Sequence, residues 1–284
     1  MEQMEQIKIP IELPDIFKSK DTIFHYCKLN TAIEHILYEK KLRLAPRIKA
    51  IDPIENFPTM IPSHGSYVYK RNPSEYPIKQ CQEIRAYSEQ IINSTRQVSF
   101  CQNFQTNIKS EENLDLYGFM NPRMWDQYAD KYTGVCLAFS LKKLKENKSL
   151  INQNIKYLCY DDILKLSPKI NENELLDYED IEQFKKYFFK KHIKPYLFRK
   201  HKDYWDEKEN RFIAFSNDEF VEIDITNSLV GIIISANSIC DFSLVNLKKY
   251  SMSFNIPLIY IYWSGYMPVV ISPERKDFYD NNNV

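Results

Sequence analysis

The sequence predicts an α+β fold, a single domain of short mixed or antiparallel strands with helical insertions. Helical and strand-like apolar patterns are interspersed, and the strand candidates are short and cluster late in the chain, which favours α+β over a regular parallel βαβ array. The composition is 44% hydrophobic and 14% aromatic, which is ample for a packed core. Because no repeat, low-complexity linker or clear boundary is found, we expect residues 1–284 to form one domain.

Strands are predicted wherever short apolar runs are rich in β-branched and aromatic residues. They cover Ile23–Tyr26, Leu42–Leu44, Val98–Phe104, Gly134–Phe139, Ile155–Tyr160, Arg211–Phe215, Phe220–Ile223, Leu229–Ser235, Leu258–Trp263 and Val269–Ile271. A segment rich in proline and polar residues, Pro46–Pro77, follows the second strand and is expected to be irregular.

Helices are predicted where apolar residues recur at the helical period of about 3.6 residues. They begin near Asn30 and at Ile78, and they cover Pro122–Tyr132, Asn171–Asp203 and Ser238–Phe254. In the first helix, Thr31 and Glu34 have the spacing of a capping box. In the longest one, we expect Pro195 to kink or break the helix, because proline lacks the amide hydrogen that continues it.

Charge and cysteine content exclude several classes of protein. Lys+Arg and Asp+Glu both total 38, so no broad basic surface for nucleic acid is expected. The six cysteines are far apart and include no C-x-x-C pair, which indicates reduced, buried thiols rather than a zinc site. The N-terminus is acidic where a signal peptide is basic, and no apolar run approaches the length of a membrane span. We therefore expect a cytoplasmic protein with no membrane partner.

Two polar-aromatic segments next to predicted strands are candidates for a ligand site. His25 lies in an apolar strand, where an imidazole is costly to bury unless it is hydrogen-bonded. It is either a core histidine or a ligand-facing one. On a helix, Trp125, Tyr128 and Tyr132 would share one face, and such a stripe either packs in the core or lines a pocket. Gly134 fits a helix C-terminus or a tight turn.

The third candidate is WDEKENRFIAF, residues 205–215, at the start of a predicted strand. If this segment is extended, Glu207, Glu209 and Arg211 point to the same side, because side chains alternate along a strand. Two carboxylates on one side raise the pKa of one of them unless cations offset the charge. The segment is therefore either a salt-bridged strand entrance or a catalytic glutamate, Glu209, oriented by Arg211.

Several common active-site motifs are absent from the sequence. It contains neither of the glycine-rich phosphate loops, G-x-x-x-x-G-K-[ST] and G-x-G-x-x-G. It also lacks the G-x-S-x-G nucleophile elbow and the H-E-x-x-H zinc helix. Ordinary nucleotide-binding folds, serine hydrolases of this type and zinc proteases of this type are therefore not indicated.

Three segments together resemble the bacterial domain-of-unknown-function family numbered 2971. They are FHYCKLNTAIEHILYEKKLRL, MWDQYADKYTGVCLAF and WDEKENRFIAF, and the resembling region covers about residues 23–235. The sequence departs from the family pattern at 51–55, where IDPIE replaces N-D-P-F-E, and at Asp126 and Gln127, which replace Ser-His. Losing that histidine removes a group that could have transferred a proton.

The opening strand and helix are also similar to the first βαβ element of ADP-ribosyltransferases, including DNA-modifying toxins. This resemblance implies a split sheet like that of ADP-ribosyltransferases. It also implies an NAD-dependent ADP-ribosyltransferase or an NAD-cleaving enzyme, with a role as a bacterial toxin or phage-defence effector. NAD would be the co-substrate, no metal would be needed, and the acceptor would be nucleic acid or protein. The resemblance assigns Glu209 and Glu207 as catalytic residues, and the cofactor-binding residues it implies are His25, Tyr26, Trp125, Tyr128 and Arg211.

Two other functions remain open. One is a non-catalytic module that binds a ligand or a protein through an aromatic-rich cleft. The other is a nucleic-acid-processing enzyme in which Glu207, Glu209 and Asp52 hold a metal ion. A site without converging carboxylates would favour the first, and activity that depends on a metal would favour the second.

Overall fold

The computed structural model describes residues 13–50, 52, 55, 63–64, 78–104, 114–236, 241–263 and 268–271. The strands are β1 Thr22–Cys27, β2 Lys41–Pro46, β3 Ser63–His64, β4 Thr95–Gln102, β5 Val135–Ser140, β6 Ile151–Asn154, β7 Lys156–Leu158, β8 Ile170–Asn171, β9 Arg199–His201, β10 Glu209–Phe215, β11 Val221–Asp224, β12 Leu229–Ser235, β13 Leu258–Trp263 and β14 Pro268–Ile271. The strands pair in both parallel and antiparallel directions, which confirms the predicted α+β class.

Nine α-helices lie among the described residues, most of them short. They are α1 Asp15–Lys18, α2 Ile78–Ser94, α3 Pro122–Tyr128, α4 Leu141–Leu144, α5 Tyr160–Lys165, α6 Glu172–Leu176, α7 Ile181–Phe188, α8 Lys194–Leu197 and α9 Asp241–Phe254. Turns of 3₁₀-helix occur at Arg47–Lys49, Leu114–Leu116 and Lys202–Glu207, and π-helical turns at Thr31–Leu37 and Phe189–Ile193. In the part of the chain that the structure describes, no helix is both long and apolar enough to cross a bilayer.

The chain divides into two compact units, each built from separate segments. Unit 1 comprises Met1–Leu42, Phe100–Lys148 and Ile223–Val284, and unit 2 comprises Arg43–Ser99 and Ser149–Glu222. The prediction of one domain over residues 1–284 stays a prediction. Most of the predicted irregular segment, Pro46–Pro77, lies outside the described residues.

Unit 1 is organised around β1. This strand pairs antiparallel with β5 along its whole length, and Ile23 and Phe24 pair with the end of β4. From β5 the sheet continues through β12 and β13 to β14, and only the β12–β13 pair is parallel. A parallel pair needs a crossover connection, and α9 lies between these two strands in the chain.

Both faces of the unit 1 sheet are covered. Phe24 and Tyr26 of β1 belong to an apolar cluster that also contains Phe17, Phe119 and Trp125. Because side chains alternate along β1, Ile23 and His25 point to the opposite face. Helix α9 packs against β12, β13 and the Thr31–Leu37 turn.

Unit 2 contains a second core and a separate set of strand pairs. Strand β10 pairs with β4 and β6, β2 pairs antiparallel with β4, and β7 pairs parallel with β9. The apolar cluster joins residues from α2, α7, α8 and β10, including Ile84, Phe184, Phe188, Leu197 and Ile213. At the helical spacing along α2, Cys81, Ile84 and Ser88 are buried and Ile91 is partly buried, so one face of this helix packs in the core.

Two predictions about where helices begin and end are wrong. The Thr31–Glu34 capping box does not form, because the amide of Ala32 donates to the carbonyl oxygen of Lys28 and Thr31 therefore lies inside the helical stretch. Helix α3 ends at Tyr128 rather than at Tyr132, because the backbone takes positive φ values from Asp130 to Tyr132.

The predicted long helix, Asn171–Asp203, is divided into several pieces. Asn171 and Asp180 each accept a hydrogen bond from the amide two residues later, and they cap α6 and α7 as separate helices. The π-helical turn Phe189–Ile193 joins α7 to α8 with helical backbone throughout, so residues 181–197 stay helical. Pro195 lies just after this turn and does not break the helix, which ends at Leu197. The chain then becomes the strand β9, which the helical pattern of the sequence did not predict.

Candidate functional site

The carboxylates of Glu207 and Glu209 lie close together in unit 2, but the backbone between them is not the predicted extended strand. Glu207 ends a 3₁₀ turn, Lys208 has a left-handed backbone with φ of 43°, and β10 begins only at Glu209. The expectation that both carboxylates lie on one side of an extended strand is therefore wrong. They nevertheless converge, because the Nζ of Lys200 lies 2.7 Å from Oε2 of Glu207 and 2.9 Å from Oε2 of Glu209.

The predicted pairing of Glu209 with Arg211 is present. Both residues belong to β10 and point to the same side, as the period of two requires. The Nε of Arg211 donates to Oε1 of Glu209 at 2.6 Å, and the hydroxyl of Ser99 donates to the same oxygen. With the ion pair to Lys200, residues from the three strands β4, β9 and β10 hold one carboxylate.

Further contacts extend this arrangement into a buried ionic cluster of Arg47, Glu55, Lys200, Glu207, Glu209 and Arg211. Arg211 Nη1 pairs with Oε1 of Glu55 and donates to the carbonyl oxygen of Leu197 at 2.9 Å. Arg47 Nη1 donates to the carbonyl oxygen of Glu55 at 2.8 Å. All six side chains are buried, with at most 5% of each residue exposed.

The electrostatics of the cluster keep Glu209 ionised. Burial alone raises the pKa of its carboxyl group, but the charges of Arg211 and Lys200 and the hydrogen bonds from Arg211 and Ser99 outweigh burial and hold the pKa well below its usual range. Burial lowers the pKa of Arg211, whereas Glu209 and Glu55 raise it above its usual value by a larger amount. Glu209 and Arg211 are therefore fixed charges rather than groups poised to exchange protons near neutral pH.

Oε2 of Glu209 accepts no hydrogen bond from the described residues. Ser99 and Arg211 both donate to Oε1, whereas Oε2 forms an ion pair with Nζ of Lys200 at 2.9 Å. The backbone amide of Glu209 donates to the hydroxyl oxygen of Tyr157 at 2.8 Å, and burial raises the pKa of Tyr157, so that this hydroxyl stays protonated. The site can therefore present an oriented anion to a positive or hydrogen-donating group.

The aromatic residues predicted to bind a cofactor are packed in the core of unit 1. Trp125 is fully buried, and its indole nitrogen donates to the carbonyl oxygen of Phe119 at 2.7 Å. The ring of Tyr26 meets that of Trp125 edge to face at 5.4 Å, and its hydroxyl donates to the carbonyl oxygen of Gly118 at 2.7 Å. Tyr128 packs against the same cluster. Trp125 is therefore a core residue, whereas Tyr128 and Tyr132 are only partly buried.

His25 does not join these rings. It is half-buried on the opposite face of β1 from Tyr26, and its ring lies 5.6 Å from that of Phe100. Neighbouring residues of a strand cannot contribute to a pocket on one face, because their side chains point apart. The residues predicted to bind NAD therefore do not form one pocket within unit 1, and the NAD-binding role of His25 and Tyr128 stays a prediction.

The predicted metal alternative finds no matching geometry in unit 2. The described residues contain no group of three or more His, Cys, Asp or Glu side chains arranged to hold a metal ion. Lys200 lies between the carboxylates of Glu207 and Glu209, which places a positive charge where that ion would have to bind. Asp52, the third expected ligand, is buried.

Three members or partners of the cluster were not predicted from the sequence: Lys200, Ser99 and Arg47. Lys200 was not identified because residues 171–203 were predicted as one helix, and the short strand β9 was therefore not expected. Ser99 carries a usable signal, since it is a small polar residue between apolar neighbours in the strand V-S-F. Glu55 lies in the segment where this chain differs from the family pattern. That difference is a second sequence feature that could have pointed to a member of the cluster.

The comparisons with known proteins support one part of the sequence-based resemblance. Residues 124–212 match the model of a family described as a protein of unknown function, DUF2971. This match confirms the family resemblance over the segment that contains Trp125, Lys200, Glu207 and Glu209. No curated protein and no solved structure matches the chain, so the resemblance to ADP-ribosyltransferases gains no support from them.

Proposed function

We propose that this chain is an NAD-cleaving enzyme, an ADP-ribosyltransferase or an NAD glycohydrolase, in which Glu209 is the catalytic carboxylate. The observation that carries the proposal is the fixed, ionised state of Glu209, which two hydrogen bonds and one ion pair from three strands orient. On this basis we also propose a cytoplasmic role as a bacterial toxin or phage-defence effector, with nucleic acid or protein as the acceptor.

The chemistry requires an oriented anion. When the bond between the ribose and the nicotinamide nitrogen breaks, the electron pair leaves with nicotinamide and positive charge develops on the sugar. A preorganised carboxylate stabilises that charge more than water does, because it needs no reorganisation during the reaction. Water or an acceptor nucleophile then attacks the sugar carbon. Glu209 would supply the anion, and Arg211 and Ser99 would hold its orientation.

Glu207 has a different role in this proposal from Glu209. Its carboxylate shares Lys200 with Glu209, so it offsets part of the positive charge that Lys200 places next to the catalytic group. Glu207 is therefore a positioning residue. The nucleotide contacts are not those expected from the aromatic residues of unit 1, because Tyr26 and Trp125 are enclosed in the core.

The test is NAD turnover by the purified full chain, with release of nicotinamide and transfer of labelled ADP-ribose measured separately. We expect Glu209→Gln to lower the rate by about 10²–10³-fold, the loss typical when one electrostatic stabiliser is removed. The matched control is Glu222→Gln, which removes a carboxylate from an ion pair with Arg43 at the surface of unit 2. Its rate should equal that of the wild type.

Ser99→Ala separates the chemistry from the fold. It deletes one hydrogen bond to Glu209 and leaves both cations in place, so we expect a smaller loss of rate with little loss of stability. A wild-type protein that does not consume NAD, or a folded Glu209→Gln variant as active as the wild type, contradicts the proposal.

A second function is favoured by a different observation. Glu209 is only 2% exposed, and two cations neutralise its charge, as expected of a structural network in a non-catalytic binding module. Such a module predicts that nucleotides raise the melting temperature by mass action without being consumed. A melting-temperature shift with NAD in the absence of nicotinamide release would select this alternative.

A further inference from the structure

Two buried arginines of unit 2 have no carboxylate partner in the described part of the chain. Arg47 and Arg199 are 2% and 4% exposed, and the ion pairs of unit 2 engage other cations, since Glu55 pairs with Arg211 and both Glu207 and Glu209 pair with Lys200. Burying a cation without a counter-charge costs several kcal/mol. Neither arginine has a direct ion pair, although the carboxylates of Glu55 and Asp52 attract Arg47 from a longer distance.

The two guanidinium groups lie on one aromatic ring. The Cζ atoms of Arg47 and Arg199 are 4.9 Å and 4.8 Å from the centre of the Tyr196 ring. Their hydrogen-bond partners are neutral: Arg47 donates to the carbonyl oxygen of Glu55, and Arg199 donates to the carbonyl oxygen of Ile163 and to the hydroxyl of Ser167. These contacts orient both groups without neutralising either charge.

Each group also retains an unused donor. Among the described residues, the buried Nε of Arg47 and the buried Nε of Arg199 have no hydrogen-bond partner. Burial lowers the pKa of both arginines, and repulsion from Arg47 adds to the effect on Arg199. The carboxylates of Glu55 and Asp52 act on Arg47 in the opposite direction but do not compensate for its burial.

We propose that Arg47 and Arg199, held on Tyr196, form a binding site for a phosphate-class oxyanion within unit 2. An oxyanion in contact with these groups would supply the direct ion pair that each arginine lacks and accept from an unused Nε–H. Arginine is the side chain best suited to phosphate, because its planar group binds with directed donors. The anion is either free phosphate or the phosphate of a nucleotide. The proposal does not depend on NAD cleavage, since binding requires no turnover.

The first experiment uses the wild-type full chain purified without phosphate or sulfate. Calorimetric titration with inorganic phosphate at constant ionic strength should show one site per chain. A protein that retains its anion through purification should instead release one equivalent on denaturation, detected by ion chromatography. Titrations with ADP and NAD distinguish the sources, because tighter binding of these two than of inorganic phosphate identifies a nucleotide site.

The variants locate the site. Arg47→Lys and Arg199→Lys keep the positive charge but lose the directed donors, so each should weaken phosphate binding by at least about tenfold. The matched control is Arg43→Lys, because Arg43 also lies on an aromatic ring, that of Phe220, but it is exposed and paired with Glu222. Its affinity for phosphate should be that of the wild type.

Two results would overturn the proposal. One is a wild-type chain that neither binds phosphate or nucleotide nor releases an anion, which would mean that the chain itself supplies the counter-charge. The other is equal phosphate binding by the wild type and by folded Arg47→Lys and Arg199→Lys variants. The wild-type titration decides the first point even if a lysine variant does not fold.

Discussion

At the scale of single residues, ion pairs and hydrogen bonds, rather than water, stabilise the charged side chains of the buried ionic cluster. Glu209 is surrounded by Arg211, Lys200 and Ser99 at hydrogen-bonding distances. A buried carboxylate is tolerated only when such partners replace its hydration. Removing one partner from a buried pair is costly, because the remaining charges stay buried without compensation.

This pairing predicts a stability that depends on pH. The folded-state pKa of Glu209 is depressed, whereas the unfolded chain takes up the same proton near pH 4.3. The contribution to the free energy of unfolding is therefore complete above about pH 5 and decreases as the pH falls, because only the unfolded state then binds the proton. Denaturant unfolding between pH 7 and pH 3.5 measures it.

The Glu209→Gln variant should lose about 3 kcal/mol at pH 7, as expected for one charge removed from a buried pair. It should also show a weaker decrease of stability in acid than the wild type. Glu222→Gln, at a surface pair, should lose less than about 1 kcal/mol. Equal losses for the two variants would contradict the view that Glu209 is buried in a paired state.

At the scale of elements, the connection between α3 and β5 depends on close backbone contacts. The backbone has positive φ at Asp130, Lys131 and Tyr132, and the amide of Gly134 then donates to the carbonyl oxygen of Ala129 at 2.8 Å. A Cβ atom on Gly134 would lie 2.3 Å from the carbonyl oxygen of Cys27. Gly134 is therefore required for close approach between the turn and β1.

We expect Gly134→Ala to destabilise the protein by about 1–3 kcal/mol, the usual cost of inserting atoms into a packed site. The obstructing atoms belong to backbone and cannot rotate away. Thermal unfolding measures the effect, with Thr133→Ala at the exposed neighbouring position as the control. A Gly134→Ala protein with the melting temperature of the wild type would show that the turn has room to shift.

At the scale of the whole molecule, the chain passes from one compact unit to the other at residues 42, 99, 148 and 222. Neither unit is therefore a continuous segment. Within unit 1, β5 pairs with β1 on one side and with β12 on the other, and these two partners are more than 200 residues apart in the numbering. The sheet of unit 1 depends on both ends of the chain.

We therefore expect a fragment of residues 1–148 not to fold. It retains β1 and β5 but lacks β12, β13 and α9, so the edge of β5 and the apolar faces of the sheet would be exposed. Circular dichroism and amide NMR dispersion compare the fragment with the full chain. A cooperative melting transition of the isolated fragment would show that its strands form a stable unit without the C-terminal segment.

Some strands could be predicted from the sequence and others could not, and the physical reasons can be named. Every predicted strand overlaps an observed one, because buried strands appear as apolar runs in the sequence. The short strand β9 was missed, because its three residues are all charged or ionisable, R-K-H, and follow a helical pattern. The alternation of β1 could have separated His25 from Tyr26 at once, since adjacent strand residues cannot face one pocket.

The sequence by itself determined the α+β class, the positions of the strands with apolar runs, and the shared orientation of Glu209 and Arg211, because these depend on patterns between near neighbours. Only the tertiary structure decided that Lys200 joins Glu207 to Glu209 and that Trp125 is enclosed in the core. It also decided that Arg47 and Arg199 meet on Tyr196. The physical reason is that burial and ion pairing depend on contacts between residues distant in the chain, and no local pattern specifies such contacts.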